Sequence, residues 1–65
     1  MDKYATQIKR SSANRNQLEK IKVGDFVEDE FGKSGKVSEI EKICYSKELH
    51  YYFYLGKSGT ILVIV

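Results

Sequence analysis

The sequence has little of what most often carries chemistry: among its 65 residues there is one cysteine, Cys44, and one histidine, His50. A lone cysteine cannot close a disulfide within the chain. Small secreted domains ordinarily carry several, so a reducing cytoplasm is the expected compartment. A metal site needs further ligands at workable spacing, and no such cluster is present, so neither a metal nor another cofactor is expected. Long apolar runs are missing too. The segment Ile61 to Val65 is far short of the roughly 18 residues of a spanning helix, and the N-terminus has no signal-peptide core. No membrane contact is expected. A Cys44–His50 nucleophilic pair would lack a third residue to orient it and, in so small a domain, a cleft to exclude water. The chain reads as non-enzymatic, with no catalytic residue and no small-molecule substrate.

What is present describes one small globular unit, 42% apolar and 31% charged. A chain of this length buries only about 60% of the surface that it exposes when unfolded, and its net stability is expected to be roughly 3–8 kcal/mol. The net charge of +2 is unevenly spread. Residues 1–22 hold Lys3, Lys9, Arg10, Arg15, Lys20 and Lys22 against Asp2 and Glu19, a balance of +4. The remainder holds five lysines against seven acids, a balance of −2. A basic arm on a mildly acidic body either attracts phosphates or is an ordinary solvated tail.

Residues 1–20 are polar and form no continuous apolar stripe, although Tyr4 and Ile8 share a helical face. They are expected to be a basic N-terminal arm with at most one short helix, capped by Asn14 with Gln17 or by Asn16 with Glu19. Residues 21–65 are expected to be the folded domain. Val23 to Asp29 reads as a turn into a first strand, and Phe31 to Gly35 as a glycine turn. Lys36 to Tyr45 reads as a second strand, though the spacing of three between Val37, Ile40 and Ile43 requires a β-bulge. A helix over Val37 to Tyr45 is the competing reading. His50 to Leu55 and Thr60 to Val65 complete the set, the former marked as a strand by Tyr-Tyr-Phe-Tyr. Short glycine turns predict an antiparallel meander of four or five strands, curled into a small SH3-like barrel to avoid open edges.

Val23-Gly24-Asp25-x-Val27, then Gly32, then Gly35-Lys36-Val37-x-x-Ile40, resembles the KOW pattern of small SH3-like barrels in ribosomal proteins, elongation factors and short bacterial or phage proteins. The resemblance implies that Gly24-Asp25 turns the chain into the first strand and that Gly35 makes the tight turn before the second. It also implies binding to RNA or to protein surfaces. Gly-Lys-Ser occurs at residues 32–34 and again at 56–58, but a phosphate loop needs a glycine five residues earlier, where Val27 and Tyr51 stand. Both are read as turns.

Alternation assigns Tyr51 and Phe53 to the core, with Ile61, Val63, Val27 and Val37, and turns His50, Tyr52 and Tyr54 outward. Outward aromatics stack unpaired bases or anchor a protein partner. The expected nucleic-acid or partner-binding residues are therefore Lys9, Arg10 and Arg15 on phosphates with His50, Tyr52 and Tyr54 on bases. The alternative is a protein contact or self-association through Leu62 and Ile64, because the last strand is apolar on both faces. Glu28, Asp29 and Glu30 read as a solvated strand edge whose charge discourages edge-to-edge pairing.

Overall fold

The computed structural model describes residues 5–65. Its first sheet holds β1 (Thr6–Ile8), β2 (Phe26–Asp29) and β3 (Ser34–Lys36), in that order. Its second holds β4 (Glu39–Cys44), β5 (Leu49–Tyr54) and β6 (Thr60–Ile64). One short helix, α1 (Arg15–Glu19), falls between β1 and β2. The fold is mainly β, and the sheets remain two rather than closing into one barrel ladder.

The N-terminal segment departs from the expected arm. β1 pairs with β2 in parallel, Thr6 opposite Val27 and Ile8 opposite Asp29, so the strands are not all antiparallel. Parallel pairing needs a crossover of a dozen or more residues, which the stretch containing α1 supplies. Thr-Gln-Ile carries a single apolar residue, so β1 leaves no alternation to read. Ile8, Leu18 and Ile21 nevertheless join the buried core. Tyr4 and Lys3 lie outside the described residues. Of the two caps foreseen for the helix, Asn14 is the one used: its side chain accepts the Gln17 N–H at 2.9 Å. A helix of one turn does not hold itself; burial of Leu18 fastens it.

The stretch from Lys36 to Tyr45 is extended, not helical, but it serves both sheets. β3 ends the first, the chain passes through buried Val37, and β4 begins the second. Ser38 donates its N–H to the Tyr54 carbonyl at 2.7 Å, while Glu39 is the register partner of the same tyrosine. Two residues thus face one, which is the bulge that the apolar spacing required. Beyond it the ladder is regular from Glu39–Tyr54 to Cys44–Leu49. Ile40 and Ile43 therefore lie on opposite faces, which completes the account of their spacing.

All six residues expected in the core are there: Val27, Phe53, Ile61 and Val63 are fully buried, and Val37 and Tyr51 nearly so. The glycine turns are less uniform. Gly59 has φ +101°, a conformation that a side chain strains. Gly35, expected in a turn, sits buried in β3 without a positive φ. Its reason is space, because a Cβ there would stand 3.1 Å from Leu55 Cβ and from Ser58 Cβ and Oγ. β3 thereby packs directly on the 3-10 turn Gly56–Ser58. Gly35→Ala is expected to destabilise by about 1–3 kcal/mol through overpacking. A denaturant midpoint that did not move would show that the turn yields freely.

Candidate binding face

Register carries the outward residues of β5 across the second sheet. Tyr54 stands between Glu39 and Thr60, Tyr52 between Glu41 and Leu62, and His50 between Ile43 and Ile64. The face therefore has an acidic and apolar flank on β4, an aromatic spine on β5, and an apolar flank on β6. Ile64 is 47% exposed, while Leu62 and the two tyrosines are half-buried. The Tyr52 and Tyr54 rings stack with centroids 6.3 Å apart and planes inclined by 12°. Residues two apart on one strand share a face, and that spacing lets the rings form one platform.

The Tyr54 hydroxyl donates to Glu41 Oε1 at 2.6 Å. That bond, assisted by burial and by the charges of Glu41 and Glu39, pushes the phenol up to about 12. In a tyrosinate absorbance titration the Tyr54 phenol should therefore ionise well above the ordinary value of 10.0, and Glu41→Gln should return it alone towards that value. An unchanged curve would mean that the bond does not persist in solution. His50 Nε2 lies 2.9 Å from Glu48 Oε1, and its ring is tilted at 52° over Tyr45 with centroids 4.3 Å apart. Exposed Tyr45 extends the aromatic spine past His50. The sequence reading did not single it out, although the odd-numbered positions of β4 point towards it.

Of the cations expected to work with these aromatics, Arg10 is engaged within the chain. Arg10 is held in a staple between the sheets: Nη1 donates to Asp29 at 3.3 Å and Glu30 at 2.8 Å, and Nε to the Leu62 carbonyl at 3.0 Å. Its guanidinium also lies 5.4 Å from the centre of the Phe31 ring. Its guanidinium thus ties the first sheet to the second. Arg15 belongs to α1, which lies against the opposite side of the second sheet. Glu19 at the end of that helix accepts from Tyr51 Oη at 2.6 Å and Lys42 Nζ at 2.7 Å, and both partners point inward. Burial and the Glu19 bond push the Tyr51 phenol up, and the bonds from Lys42 and Tyr51 hold Glu19 below the ordinary carboxylate range. Lys9 is exposed. Arg15 thus lies on the other side of the sheet from Tyr52 and Tyr54, but it shares a groove at the β4–β5 turn with Tyr45 and Glu48.

The acidic cluster is likewise not an edge. β2 is the middle strand of its sheet, and Asp29 is 4% exposed. Its Oδ1 accepts the N–H groups of Phe31 at 2.9 Å and Lys33 at 2.8 Å, while Oδ2 faces Arg10. Sequence carried one signal for this: an aspartate beside a glycine turn often binds backbone N–H groups two to four residues on. Among the described residues no three of His, Cys, Asp and Glu gather as metal ligands. Nor is any helix among them long and apolar enough to cross a membrane. Cys44 is free and exposed on β4.

No protein-family model, curated protein or solved structure matches the chain.

Proposed function

We propose that the chain is a non-enzymatic protein-interaction module of the SH3-like, KOW-related kind, cytoplasmic, which meets its partner on the outer face of the second sheet. The observation that carries this reading is the Tyr52–Tyr54 platform continued sideways by half-buried Leu62 and exposed Ile64. Rigid aromatics beside apolar neighbours are what anchor protein contacts. The charges on this face, Glu39 and Glu41, repel phosphate and leave a protein surface as the better complement. The switch of chain between sheets at Val37–Ser38 and the Val23 to Ile40 pattern support the SH3-like plan. A single unbridged cysteine suits a reducing compartment.

A second reading, nucleic-acid binding, is favoured by one observation. Lys9, Arg15, Lys20 and Lys22 are exposed and form no ion pair among the described residues. One pair of measurements separates the two. Self-association is the protein contact that the chain displays unaided, and a two-fold contact centred on the Leu62–Ile64 row keeps the acidic flanks of the copies apart. Light scattering is expected to give a dimer that Ile64→Asp and Tyr52→Ala return to monomer. Titration with mixed RNA and DNA at low salt is expected to show no binding that depends on the tyrosines. A monomer whose nucleic-acid affinity falls by roughly 1–3 kcal/mol in Tyr52→Ala or Tyr54→Ala would replace the protein reading by the nucleic-acid one.

A further inference from the structure

The two edges of the second sheet are treated differently. Along β6 two of the three carbonyls that point away from the sheet are covered: Lys33 Nζ donates to Thr60 at 3.0 Å and Arg10 Nε to Leu62 at 3.0 Å. β4 receives no such cover. Tyr45 N–H donates to the Glu48 carbonyl at 2.8 Å, and antiparallel alternation then directs the backbone groups of Glu39, Glu41 and Ile43 at β5. Those of Ile40, Lys42 and Cys44 point outward, and among the described residues nothing pairs with them. A six-residue strand therefore offers three evenly spaced pairs of donors and acceptors. Open edges of this kind are templates for a further strand.

We infer that β4 accepts an extended segment of a partner protein by strand addition, and that this segment alternates apolar and basic residues. The alternation follows from the two sides of β4. On the inner side, residues of an added strand meet a groove of about 410 Å³ between β4 and the end of α1, its apolar part formed by Leu18, Ile21, Val23 and Ile40 with Tyr51, and its charged part by Glu19, Lys22 and Lys42. Val23 is 62% exposed on its wall, so apolar side chains gain cover there. On the outer side, the residues of the added strand fall beside Glu39 and Glu41, both exposed, and opposite charges across a ladder attract. A second copy of β4 fits poorly. The two-fold registers centred on this strand set Glu41 against Glu41 or Lys42 against Lys42, and like charges directly opposite repel. The inference concerns the edge and the inner groove, and does not depend on the tyrosine face.

The test uses the whole chain and a nine-residue capped peptide of alternating valine and arginine. Beside it run a peptide of the same composition in blocks and one with glutamate in place of arginine. On adding the alternating peptide, amide exchange at Ile40, Lys42 and Cys44 is expected to slow at least tenfold while β6 amides are unchanged. The block and glutamate peptides should do neither. Glu39→Lys with Glu41→Lys should weaken binding at least tenfold. Cys44→Pro, which removes an outward N–H at an exposed position of the edge strand, should weaken it at least tenfold. Loss of binding in Tyr52→Ala would place the peptide on the tyrosine face instead and overturn the inference. So would exchange at the three amides that stays fast in millimolar peptide, equal binding of all three peptides, or protection of the three amides by self-association alone. Because the first readout is made on the unaltered chain, a proline variant that fails to fold leaves the test intact.

Discussion

Phe53→Ala is expected to abolish the cooperative thermal transition. Phe53 is fully buried on β5 between Ile40 and Ile61, with its ring stacked on Tyr51 at 6.0 Å. Truncating a buried phenylalanine removes the transfer free energy of the ring and leaves a cavity, together about 3–5 kcal/mol. That is comparable with the whole stability of a chain this size, roughly 3–8 kcal/mol. Circular dichroism over a temperature ramp reads the result directly. Tyr52→Ala is the control, since it alters the next residue on the outward face and should cost only about 0.5–1 kcal/mol. A Phe53→Ala protein melting cooperatively near the parent temperature would refute the assignment of this side chain as the centre of the core.

Asp29→Ala is expected to cost about 3 kcal/mol, because it strands two backbone N–H groups and a guanidinium at a site closed to water. Asp29→Asn keeps an acceptor and should cost about half as much. The pH dependence follows from the same contacts. Burial alone would raise the Asp29 pKa. The N–H bonds from Lys33 and Phe31, with Arg10, outweigh it and hold the carboxyl below its ordinary 3.8. As pH falls, the unfolded chain therefore takes up this proton before the folded one. The contribution of Asp29 is complete above the unfolded value and disappears as pH falls through the lower folded value. Denaturant midpoints between pH 6 and pH 2 should decline less steeply in Asp29→Asn than in the parent chain. Parallel declines would mean that the Arg10–Asp29 staple opens in solution.

Both predictions rest on residues that a sequence treats very differently. Phe53 is legible: period-two alternation through Tyr51, Phe53 and Leu55 is local, and only the more apolar face can be turned inward. The staple is not, because Arg10 and Asp29 are brought together by parallel pairing of a three-residue strand with β2. The candidate face divides the same way. Outward placement of Tyr52 and Tyr54 follows from their neighbours on the strand. Which cations stand near them depends on the side of the sheet to which α1 is packed, and helix Arg15–Glu19 contains only one buried residue, Leu18, to say so.

Sequence alone thus determined the mainly β character, the six-residue centre of the core, the bulge demanded by Val37, Ile40 and Ile43, and the outward aromatics of β5. Each follows from side-chain period or turn chemistry, which act over a few residues. Tertiary structure alone decided the parallel β1, the ion pairing of Arg10 with Asp29 and Glu30, the burial of Asp29 and the packing demand on Gly35. It also decided that Arg10 and Lys33 cap two carbonyls of the β6 edge, while β4 receives no such cap. These depend on which distant segments meet, and a contact such as Lys33 with the Thr60 carbonyl, 27 residues apart, leaves no periodic trace in the chain.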